Sequence, residues 1–221
     1  MRRLIACHAV VLLVLAFGIC VPGKVFAGAQ QYAPLADSVK NALHSAISDQ
    51  APPEPRFPSI DEKIAWLTGM SLRLARKMPD NDNRLEFLKA VYYEATRAGL
   101  DPQLVLGLVQ VESNFRKHAV SHAGARGFMQ VMPFWIGLIG NTGDNLFNLR
   151  TNLRYGCTIL RHYLDIEHGD LYRALGRYNG SLGQPDYPRA VEAAWKRNWG
   201  FAFKASPVPA ASASGGVSGK I

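Results

Sequence analysis

The chain has 221 residues, of which 48% are hydrophobic and 19% charged, with a formal net charge of +8 at pH 7. That apolar content can bury a core and excludes a wholly disordered chain, and the length suits one ordinary domain with flanking segments. The cysteines stand at 7, 20 and 157. Two fall in an N-terminal apolar run, which excludes both an intrachain disulfide framework and a cysteine-built zinc site.

Met1-Arg2-Arg3 followed by the apolar run Leu4 to Val21 has the charged and hydrophobic regions of a secretory leader. Val25-Phe26-Ala27 places small residues at the −3 and −1 positions of a cleavage site before Gly28. The expected leader is therefore 1–27, with an uncleaved membrane anchor as the alternative. Removing it takes away Arg2, Arg3 and Lys24 and no acidic residue, which lowers the charge to +5. A modest positive charge suits an anionic partner without choosing one, and export to the periplasm argues against nucleic acid.

Residues 28–58 read as a spacer, with a short weak helix from Leu35 to Ile47 and a stiff Ala51-Pro52-Pro53-Glu54-Pro55 linker. The folded unit is expected over 59–200. Ser59-x-x-Glu62 is a capping box for a helix running to about Lys77, and Asn83-x-x-Glu86 opens a second that stops at Gly99. Asp101-Pro102 supplies the N-cap and first residue of a third helix, which ends near Ser113. Asn148 to Glu167 is the longest, with Leu149, Leu153, Gly156, Leu160 and Tyr163 on one face; Leu171 to Tyr178 and Pro188 to about Asn198 follow. Between Phe115 and Pro133, Gly124 and Gly127 punctuate short runs, predicting a small hairpin or irregular loop. Residues 201–221, nearly all Ala, Ser, Gly and Pro, read as a disordered tail. The fold class is thus mainly α.

The third helix carries the chemical signal. Val105, Leu108 and Val109 form an apolar stripe, and the next position on that stripe is Glu112. A carboxylate there faces the interior or a cleft. Burial and the negative end of the helix dipole both oppose its ionisation, as a general acid requires. By periodicity alone, a Glu at a frayed helix end pairing with Arg116 fits as well.

Glu112-Ser113-Asn114-Phe115, then Ser121 with Gly124 to Pro133 (GARGFMQVMP), then Arg177-Tyr178-Asn179-Gly180 closely resemble the three signature segments of the soluble lytic transglycosylases. The resemblance runs from about 85 to 195. It implies a lysozyme-like catalytic domain that cleaves bacterial peptidoglycan between N-acetylmuramic acid and N-acetylglucosamine. Two departures stand out: Phe128 where Leu is usual, and Gly180-Ser181 where Ala-Gly follows.

A glycosidase ordinarily uses two carboxylates. From Ser113 to Gly143 there is no Asp or Glu, which agrees with the single-acid mechanism the resemblance implies. In that mechanism Glu112 protonates the leaving oxygen and then deprotonates the C6 hydroxyl that closes a 1,6-anhydro ring. The resemblance also implies that Ser121 and Gln130 bond the acetamido group, that Met129 forms an apolar wall, that the Tyr178 hydroxyl lies near Glu112, and that Asn179 holds that arrangement or the sugar. Each has a plainer alternative: a turn for Ser121, a solvated strand for Gln130, a core position for Tyr178 and a helix C-cap for Asn179-Gly180.

No metal or other cofactor is expected, since His118, His122, His162 and His168 lack a tight ligand spacing. Trp135, Trp195 and Trp199 suit either sugar stacking or a core, and Cys157 reads as a packed free thiol. The rival readings are a hydrolase like the goose-type lysozymes, using Asp144 as second carboxylate, and a non-catalytic glycan-binding scaffold. A monomer serving an envelope secretion or conjugation machine through its terminal segments is compatible with catalysis.

Overall fold

The computed structural model describes residues 30–48 and 55–203. The leader, the proline-rich linker to Glu54 and the tail beyond 203 lie outside the described residues. Eight α-helices follow in order: α1 (Asp37–Ser48), α2 (Ile60–Leu74), α3 (Asn81–Arg97), α4 (Pro102–Ser113), α5 (Phe134–Ile139), α6 (Leu149–Ile166), α7 (Leu171–Asn179) and α8 (Asp186–Ala194), then a π-helical turn, Trp195–Trp199.

Short polar side chains set the helix starts. Ser59 Oγ accepts from the Glu62 amide at 3.1 Å, and Asp101 Oδ1 from the Gln103 amide at 2.7 Å. Such caps contribute about 1 kcal/mol each by satisfying amides that lack an intrahelical partner. α3 starts earlier than the expected capping box: Asp80 is the cap and accepts from the Asn83 amide. The last helix also starts early, at Asp186. Pro188 fits inside its first turn, where an amide hydrogen has no carbonyl to find.

α4 is the central helix, buried nearly all round and packed against α3, α8 and the π-helical turn. Gly107 permits the closest approach: a Cβ there would lie 2.8 Å from the Trp195 backbone nitrogen. Around this axis α6 packs on α3 and α7. A charged pair is buried at the α3–α6 contact, where Arg154 Nη2 donates to Glu94 Oε1 at 2.9 Å and Glu94 is 1% exposed.

The expected spacer is in part docked. α1 packs on α5 and α6, Ile47 is buried, and His44 Nδ1 donates to the Ile139 carbonyl at 2.9 Å. The packed unit therefore reaches back beyond residue 59. The expected hairpin or irregular loop resolves as the latter. Among the described residues no strand ladder forms there, only isolated bridges pairing Arg126 with Val120 and with Val131. Sequence periodicity misses α5, whose six residues are too few to repeat, although Trp135 and Ile139 are buried one turn apart.

Candidate active site

Glu112 sits in the last turn of α4 and is 5% exposed, on the interior stripe its spacing predicts. The helix stops immediately after it because Asn114 and Phe115 both take left-handed conformations (φ 49° and 64°). Asn tolerates that region; a Phe there costs about 1–2 kcal/mol. Burial of the Phe115 ring against Phe87 and Trp199 offsets the cost. Ser113 then fastens the returning loop to the helix, its hydroxyl bonding the Phe128 carbonyl at 2.7 Å and the Val109 carbonyl at 3.2 Å. The first two signature segments are thus joined by a side chain next to Glu112.

The hydroxyl that reaches Glu112 is not the expected one. Tyr187, in the first turn of α8, donates to Glu112 Oε1 at 2.5 Å. Tyr178 is fully buried and donates instead to the Met129 carbonyl at 2.8 Å. Both phenols are pushed well above the ordinary tyrosine range, first by burial and then by the negative charge of Glu112. They are neutral donors at any ordinary pH. Tyr178 therefore senses Glu112 while bonding the loop, and Tyr187 holds the carboxyl directly. Nothing in the sequence pattern singles out Tyr187, which precedes the proline from which the last helix was expected to start.

Met129 is fully buried, and both of its backbone polar groups are taken: the carbonyl by Tyr178 and the amide by Asn152 Oδ1 at 2.8 Å. Asn152 Nδ2 donates to the Arg126 and Leu146 carbonyls at 2.8 and 2.9 Å, so one α6 amide organises the loop from three directions. Gly156, one turn on, leaves room for Met129; a Cβ there would stand 2.3 Å from its sulfur. Asn152 escaped sequence reading because a polar residue in a long helix is ordinarily solvated.

Gln130 is 2% exposed and in a left-handed conformation (φ 48°), and its Nε2 donates to the Gly127 and Ala119 carbonyls at 2.9 and 3.1 Å. The solvated-strand alternative is therefore overturned. Ser121 Oγ accepts from the Ala125 amide at 3.1 Å, the turn contact its plainer reading expects. Asn179 is buried at the end of α7, where its Nδ2 donates to Ser181 Oγ at 3.0 Å and left-handed Gly180 caps the helix. Phe128 packs its ring on Phe87 and is buried, an exchange absorbed by the core.

Asp144 accepts from the Tyr155 hydroxyl at 2.5 Å and from the Asn141 amide at 3.0 Å. It lines a polar hollow with Asn148, Arg150 and Arg154 that does not include Glu112. The hydrolase reading thus loses its nearest second carboxylate. Among the described residues no group of three or more His, Cys, Asp or Glu could hold a metal ion. Trp135 and Trp199 are core residues and Trp195 is half-buried, whereas Cys157 is fully buried with its thiol pushed up by burial.

Residues 89–196 match the family model described as Transglycosylase SLT domain. A transglycosylase of Enterobacteria phage PRD1 is 32% identical over 123 residues, covering 56% of this chain and 41% of that protein. The membrane-bound lytic murein transglycosylase C of Mannheimia succiniciproducens is 36% identical over 84 residues, 34% of this chain and 24% of that one. An inactive mutant of the lytic transglycosylase Slt from Pseudomonas aeruginosa superposes with a TM-score of 0.38 at 21% identity, over 59% of this chain and 23% of that chain. The match thus spans less than half the length of each relative. The helical domain built around Glu112 thus carries the Transglycosylase SLT match, over just under half of the chain.

Proposed function

We propose that this chain is a peptidoglycan lytic transglycosylase with Glu112 as its single acid and base. The observation that carries the reading is a buried carboxyl held by the Tyr187 hydroxyl inside the domain that carries the SLT match. Peptidoglycan is the substrate class, and the phage and bacterial relatives bear transglycosylase names.

In this reading Glu112 protonates the oxygen between N-acetylmuramic acid and N-acetylglucosamine as the C1–O bond breaks. The acetamido carbonyl oxygen of the muramyl sugar bonds C1 and spreads the positive charge. Glu112, now a carboxylate, takes the proton of the C6 hydroxyl. O6 then displaces the acetamido oxygen from C1, closing the 1,6-anhydro ring and restoring protonated Glu112. No water is consumed. Met129, Gln130 and Ser121 form one side of the site, and Tyr178 and Asn179 support the other. Tyr187 fixes the acid and remains a neutral donor throughout.

Mass spectrometry of muropeptides released from purified peptidoglycan tests this. Anhydromuramyl ends are expected, and reducing ends would contradict it by reporting hydrolysis. We place the action outside the cytoplasm, as expected of a chain with this leader. No helix among the described residues is long and apolar enough to cross a membrane. We also propose that the protein works as a monomer and that residues 28–58 or 201–221 recruit an envelope machine. Copurification with envelope proteins that survives deletion of both segments would contradict the recruitment.

A further inference from the structure

Gln30 lies in the stretch expected to be a spacer, yet it is only 4% exposed. Its carboxamide is used from both ends. Oε1 accepts from the Met132 amide at 3.2 Å and from the Trp135 indole nitrogen at 3.1 Å, while Nε2 approaches the Gln130 carbonyl at 3.4 Å. The Tyr178 phenol also feels a hydrogen bond from this amide, which acts against the upward push of burial. Beyond it, the Tyr32 ring meets Phe134 edge-on, and Gln31 to Ala33 border a hollow shared with Tyr163, Arg177 and Gly180. Residues 30–33 therefore cross from the loop and α5 to the end of α7.

We propose that Gln30 is a positioning residue for this site, bracing the backbone from Gln130 to Met132 against α5. The inference rests on the transglycosylase reading of the site. Gln130 occupies a backbone region that side chains rarely adopt, so its conformation persists only while its surroundings determine it. Two of its ties come from its own side chain and one from its own amide to the Gly127 carbonyl at 3.2 Å, and the fourth, the one supplied from outside the loop, comes from Gln30. Without Gln30 the Trp135 indole N–H loses its acceptor in a buried place and the Met132 amide in a half-buried one. The backbone would then shift to find others. Met129 is the next residue back, and its carbonyl orients Tyr178. Gln30 thus acts on the chemistry through the loop rather than by touching the sugar.

The test uses the full chain with Gln30→Met, which keeps the volume and removes the hydrogen bonds, and Gln30→Glu, which keeps the two acceptor bonds. Gln30→Met is expected to lower kcat about tenfold, the scale of one lost buried hydrogen bond, with KM within about twofold. Gln30→Glu is expected to recover most of that loss. Amide exchange read by NMR should lose protection at Met132 in Gln30→Met while α4 keeps its own. An unchanged or raised kcat in Gln30→Met overturns the proposal, as does a loss equal in both variants that follows their melting temperatures. If the wild type releases no anhydromuramyl product, the transglycosylase reading fails. The bracing claim is then decided by exchange, and unchanged Met132 protection refutes it.

Discussion

Tyr187 and Glu112 join the first turn of α8 to the last turn of α4 through a hydrogen bond between residues 75 positions apart. The bond fixes one carboxyl oxygen and stabilises the ionised form, whereas burial opposes ionisation. Tyr187→Phe removes the donor and keeps the ring. It is expected to lower kcat by about tenfold to a hundredfold, at or below the low end of the effect of a positioned acid or base, because Tyr187 acts through Glu112. Muropeptide release by the variant at the wild-type rate would contradict this.

Met129 depends on the absence of a side chain on α6. Gly156→Ala would place a Cβ 2.7 Å from Met129 Cβ and 2.3 Å from its sulfur, so the loop must move. Overpacking of this kind costs about 1–3 kcal/mol. Because the Met129 carbonyl holds Tyr178, turnover should fall further than stability. Thermal melting and muropeptide release on the same sample check this, and a stability loss with full turnover would contradict it.

The buried Glu94–Arg154 pair belongs to the scaffold. Glu94→Gln removes the buried carboxylate that pairs with Arg154 at 2.9 Å and with Arg97 at 3.1 Å, and is expected to cost about 3–5 kcal/mol. The double change Glu94→Leu with Arg154→Met should lose much less, since an apolar pair of similar volume needs no compensation. Urea unfolding of the wild type and the two variants measures the recovery. A double variant as unstable as the single one would contradict the account.

Much of this scaffold is legible in the chain because it rests on local physics. Ser59 and Asp101 cap the helices they precede, and the stripe Val105, Leu108, Val109, Glu112 buries its carboxylate as its period requires. What is not legible depends on contacts between distant elements. Tyr187 meets Glu112 only because α8 packs on α4, a relationship no short window of sequence contains. Asn152 and Gln130 look like surface polar residues until the loop folds over them and takes every amide they offer. Gln30 is the extreme case, a polar residue in a weakly patterned segment whose role appears only when it meets Met132 and Trp135, more than 100 positions on.

The central claim is that one carboxyl performs both proton transfers. Its most direct test is the rate of anhydromuropeptide release by Glu112→Gln against wild type, with circular dichroism of both confirming equal folding. The amide keeps the size and the bond from Tyr187 but can neither give nor take the proton. The account predicts a loss of about a thousandfold or more, equivalent to at least about 4 kcal/mol of barrier. A rate within about tenfold of wild type, in a folded variant, would contradict it.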